Sequence, residues 1–112
     1  MDGLSLIQQQ TDLQKQLDNA ISLMARQGKE LADAERDYYI ALRQQVTLMK
    51  DAGEPATLIS LSIKGVPEVA NLRYERDFAQ SRYDVSREKI MALKLNIRVL
   101  ESIIEREWGR SQ

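Results

Sequence analysis

Apolar residues recur along this chain at alternating spacings of four and three, in two long stretches separated by a short break. In the first stretch Leu17, Ile21, Met24, Gly28, Leu31, Glu35, Tyr38, Leu42, Val46 and Met49 fall on one side of a helix. In the second, Val69, Leu72, Arg76, Ala79, Tyr83, Ser86, Ile90, Leu93, Ile97, Leu100 and Ile104 make an unbroken heptad seam, with isoleucine at a and leucine at d toward its end. Local punctuation agrees with two long helices. Ser5-Leu6-Ile7-Gln8 has the form of a capping box, so the first helix is expected to start there. Gly53 stands where that helix would stop. Pro67 suits the first turn of the second helix, where its missing N–H is not needed, and Gly109 suits the position just past its end. The expected elements are a helix over about 5–52, a connection over 53–66 and a helix over about 67–108.

The connection must reverse the chain. Thr57 could cap a short helical turn over Leu58 to Lys64 ended by Gly65, or the same residues could run extended across the tip. Either way the expected fold is all-α: one domain over 1–112, a long antiparallel two-helix coiled-coil hairpin. Folding back about the connection pairs residues whose numbers total about 119. Gly28 would then face Ile90 or Met91, Leu17 and Ile21 would face Leu100 and Ile97, and Met49 would face Leu72 and Val69. Glu35 would join Tyr83, Ser86 and Tyr38 in a polar layer that holds the register, because a buried carboxylate is costly unless hydrogen-bonded.

The second helix carries more apolar surface than one partner helix can cover. Tyr74, Phe78, Val85, Ala92, Leu95 and Val99 also recur at helical spacing, about 200° from the seam, and Met91 and Ile103 widen that face. Tyr74, Phe78, Val85, Leu95 and Val99 are therefore candidate interface residues, and two hairpins are expected to dimerise into a four-helix bundle. Leu58, Ile59, Leu61 and Ile63 form a second apolar cluster in the connection. It either caps the end of the bundle or docks another protein.

Charge and composition narrow the chemistry. The 112 residues include 16 Lys and Arg against 17 Asp and Glu, a net charge of −1 with both signs interspersed, which offers no broad positive field to a phosphate backbone. Arg73, Arg76, Arg82, Arg87 and Lys89 are dense on the second helix with Tyr74, Phe78 and Tyr83 among them, a mixture able to hold a single strand by charge and stacking. Glu75, Asp77, Asp84 and Glu88 largely cancel it, so local ion pairs are the favoured use. With neither His nor Cys, a hydrolase triad lacks its base and a di-iron bundle lacks its Glu-x-x-His ligands. No phosphate-cradling glycine loop is present. No catalytic residue, cofactor, metal or small-molecule ligand is expected. No signal peptide or membrane-spanning stretch is apparent.

The segment from Ala34 to Arg110 resembles small uncharacterised helical proteins encoded by bacteriophages and prophages. The residues that carry the likeness are Ala34-Glu35-Arg36-Asp37-Tyr38, Val69-Ala70-Asn71-Leu72-Arg73-Tyr74-Glu75-Arg76-Asp77 and Ile104-Glu105-Arg106-Glu107-Trp108-Gly109. The resemblance implies a setting in the cytoplasm of a bacterial host, and it transfers no site residue. Secreted two-helix hairpins with a Trp-x-Gly bend are similar in size, but here the only tryptophan is Trp108, far from the turn. The functional expectation is a non-enzymatic interaction or scaffolding protein that works through coiled-coil surfaces as a dimer with another protein. The alternative is an accessory single-stranded DNA-binding protein in phage replication or recombination.

Overall fold

A computed structural model describes residues 3–111, and they are almost wholly helical. Helix α1 covers Gly3–Asp51, α2 covers Ala56–Ser62, a 3₁₀ turn covers Ile63–Gly65, and α3 covers Pro67–Ser111. The long helix α1 packs on α3, as a helical hairpin requires.

The stop of α1 is written in backbone chemistry. Gly53 has φ of 81°, a left-handed conformation that costs a glycine little. Its N–H bonds to the Lys50 carbonyl at 3.0 Å and the Glu54 N–H to the Met49 carbonyl at 3.1 Å, the paired bonds of a Schellman motif. Pro55 follows in an extended conformation and starts α2, its carbonyl accepting from the Ile59 N–H at 3.1 Å. The helical reading of the connection is therefore the one that forms, but it starts at Ala56 behind Pro55, and Thr57 lies inside α2 and does not cap it. Val66 then turns the chain outward, with φ −64° and ψ 125°. Its carbonyl accepts from the Ala70 N–H at 2.8 Å, and Pro67 takes the first position of α3.

Two expected ends differ. Ser5 lies inside α1, since the helix already includes Gly3, so the capping-box residues do not mark its start. Gly109 lies inside α3, which runs on to Ser111. Nothing packs where a Cβ on Gly109 would sit, and a glycine at an exposed helix end lowers propensity without breaking the ladder.

The chain divides into two compact units. The terminal unit joins α1 up to Arg26 with α3 from Asp84, and the turn unit is Gln27–Tyr83. The terminal unit has a dry core of Leu17, Ala20, Ile90 and Leu93, with Leu13, Met24 and Ile97 packed against it. In the turn unit Tyr38, Ala41, Ile59, Ile63, Val69 and Ala79 are buried.

On α3 every seam position from Val69 to Ile104 is buried or half-buried, as the heptad pattern requires. The phase of α1 is different from the expected one. Ala20, Gln27 and Ala41 are buried, whereas Ile21 is 47% exposed. Leu17, Met24, Leu31 and Tyr38 belong to both readings, but the intervening seam position lies three residues after each of them, not four. Gly28, Glu35 and Leu42 are half-buried and widen the stripe instead of forming its axis. Small seam residues let two helix backbones approach closely, and reading by side-chain size misses them.

The pairing is displaced by one heptad. In the turn unit Gly28 lies under Tyr83, Glu30 bonds Arg82 and Tyr38 lies beneath Arg76. In the terminal unit Leu17 and Ala20 share a core with Ile90 and Leu93, not with Ile97 and Leu100. Residue numbers of the turn-unit partners thus total about 112. Within the turn unit Glu35 is not set against Tyr83 as expected, because Tyr83 rests on Gly28, about two turns away along α1. The cause is the connection. Its residues coil into α2 and the 3₁₀ turn and do not bridge the helix ends symmetrically, so α1 outruns the start of α3 by about two turns.

Candidate interaction surface on helix α3

The residues expected at interfaces separate into two sets. Tyr74, Phe78, Val85, Leu95 and Val99 are all more than half exposed, and Met91 joins them. In the turn unit the Tyr74 and Phe78 rings lie nearly parallel, 10° apart with centroids at 6.4 Å, and the Arg82 guanidinium sits 5.9 Å from the Phe78 centroid. In the terminal unit Met91, Ala92 and Leu95 floor a shallow groove of about 430 Å³ edged by Glu88, Lys94 and Arg98.

The connection is mixed. Leu58 and Leu61 are exposed, but Ile59 and Ile63 are buried core residues and offer nothing to a partner. The reason is helical geometry: Ile59 and Ile63 lie four apart and share one face, which turns inward, while Leu58 and Leu61 lie on other faces.

Most of the basic residues considered for nucleic acid are already engaged. Arg82 pairs with Glu30 at 3.2 Å, Arg87 with Asp84 at 3.0 Å, and Arg73 approaches Asp77 at 3.9 Å. Arg76 donates to Asp77 Oδ1 from Nε at 3.1 Å and from Nη2 at 2.9 Å. Its guanidinium also lies 4.6 Å from the Tyr38 ring centroid. The Asp77 hydrogen bond holds the Arg76 pKa above its usual value. Arg76 is thus a seam residue tied to α1, and only Lys89 of the five has no ion pair among the described residues.

A further apolar surface was not foreseen. In the turn unit Ile40, Arg43, Gln44, Thr47 and Leu48 line an open groove of about 590 Å³ on α1, with Tyr39 exposed beside it. The spacing of Ile40, Gln44 and Leu48 carries the signal, but the polar residue between the two apolar ones conceals it.

Among the described residues no helix is long and apolar enough to cross a membrane, and no cluster of His, Cys, Asp and Glu is placed to hold a metal ion. Compared with family models, curated proteins and solved structures, the chain matches none.

Proposed function

We propose that this chain is a non-enzymatic protein-interaction or scaffolding protein that works as a homodimer through α3 and offers Leu58 and Leu61 to another protein. The observation that carries this reading is the exposed apolar row of α3. Its large residues, from Tyr74 to Val99, are each between 52% and 68% exposed and lie along one side of a single helix. Scattered exposed leucines are ordinary, but an aligned row is the usual mark of an interface. The setting, a bacteriophage or prophage and hence a bacterial cytoplasm, is supported by the resemblance of the Ala34 to Arg110 segment.

The test of partner docking is co-purification from a bacterial host carrying the prophage, with the chain tagged. Leu58→Asp and Leu61→Asp should remove a captured protein without loss of helix, and retention of that protein by the double variant would refute docking at the turn. The second reading, binding of single-stranded DNA, draws on the stacked Tyr74 and Phe78 rings with Arg82 over the Phe78 ring. A low-salt gel shift lost on substitution of Arg73 and Lys89 would favour it, and no shift would remove it.

A further inference from the structure

The seam of α1 changes step near its end. In the turn unit its axis runs through Gln27, Leu31, Ala34, Tyr38, Ala41 and Gln45 at alternating spacings of four and three, all of them buried or half-buried. The next spacing of three falls on Leu48. Yet Leu48 is 62% exposed, and Met49 is half-buried in its place. Two successive spacings of four make a stutter, where a helix changes the side it turns to its neighbour.

Leu48 and Met49 therefore compete for one seam site. Leucine and methionine are close in volume and replace one another in cores at small cost, so the site itself prefers neither strongly. Turning the end of α1 by about 50°, half the rotation between neighbouring residues, exchanges the two. The arrangement with Met49 seated carries a cost of its own. Glu54 Oε2 is buried with no hydrogen-bond partner, and a buried polar atom left unpaired is expensive. Glu54 is also tied to the turn that carries Met49, because its N–H bonds to the Met49 carbonyl at 3.1 Å.

We infer that the last two turns of α1 are a two-state element. In the first state, the one the structure describes, Met49 is seated and Leu48 stands outward as a wall of the groove it lines with Ile40 and Gln44. In the second, Leu48 takes the seam site, Met49 and the Glu54 carboxylate meet water, and the groove loses that wall. The seam thus opens and closes an apolar surface beside the turn while both helices stay intact. This holds whether or not two chains associate.

The test is relaxation dispersion of leucine and methionine methyl groups in the full chain, which reads exchange on the microsecond to millisecond scale. The Leu48 and Met49 methyls should exchange at one shared rate, while those of Leu93, in the terminal core, stay flat. Leu48→Gln removes the occupant of the second state at an exposed position, so the fold survives and the Met49 exchange should vanish. Glu54→Ala removes the unpaired oxygen, and the population of the second state should fall about tenfold or more. Flat profiles at both Leu48 and Met49 would overturn the inference, since only one state then exists. So would Met49 exchange that persists in Leu48→Gln, or exchange that Leu93 shares, because either would report a general opening of the helices and not a swap of two residues.

Discussion

The terminal and turn units use the same two helices and hold them together by different means. The terminal unit relies on aliphatic packing: Leu17, Ala20, Ile90 and Leu93 touch one another and Leu13, Met24 and Ile97, with no ion pair in that core. The turn unit relies on fitted pairs. Gly28 makes room for the Tyr83 ring, Tyr38 underlies Arg76, and Glu30 holds Arg82. An aliphatic seam is close to indifferent to sliding by seven residues, because every a and d position still meets an apolar partner. A ring over a glycine is not, because a side chain longer than a methyl in that place would push the ring away. Stability is therefore concentrated in the terminal unit, and register in the turn unit.

The sharpest way to break that contrast is Leu93→Ala in the terminal unit. Leu93 is 6% exposed, and deleting its branched end should cost roughly 2 to 5 kcal/mol in urea unfolding. A cost below that of any turn-unit substitution would invert the division of labour. Next in size is Arg76→Met, which keeps the packing stem but removes the cation over Tyr38. The Arg76 side chain is 24% exposed, so a loss of about 0.5 to 2 kcal/mol is expected. A double-mutant cycle with Tyr38→Leu should return a coupling energy, and zero coupling would show that the pair sets nothing. The smallest effect is Gly28→Ala. A Cβ there meets the Tyr83 ring at 3.4 Å, an ordinary contact, while the helix gains up to about 1 kcal/mol of propensity. Thermal unfolding should therefore shift upward slightly, and a fall would mean the ring is wedged against the backbone.

Ion pairs on the surface do not enter this comparison. Lys29 bonds Asp33 at 3.1 Å, yet its side chain is 80% exposed, and pairs of that kind contribute little. Their role is local. On α3 they also occupy most of the arginines that composition alone would offer to a nucleic acid, and of these pairs only that of Arg82 with Glu30 of α1 is not local to one helix.

The sequence by itself determined the two long helices, the phase of the α3 seam, the stop at Gly53 and the start at Pro67. Each of those rests on backbone chemistry or on a period within a single helix, which needs no knowledge of what lies opposite. It also marked Tyr74, Phe78, Val85, Leu95 and Val99 as surplus apolar surface, since one helix cannot bury two opposite faces against a single neighbour. Only the tertiary structure decided the register, the choice of Ala20 over Ile21, and the burial of Ile59 and Ile63. A heptad pattern repeats itself after a shift of seven, so periodicity cannot rank registers that differ by that amount. The ranking comes from shape and charge across the helices, from a glycine beneath a ring and an arginine above one, and those meet only when the chain has folded.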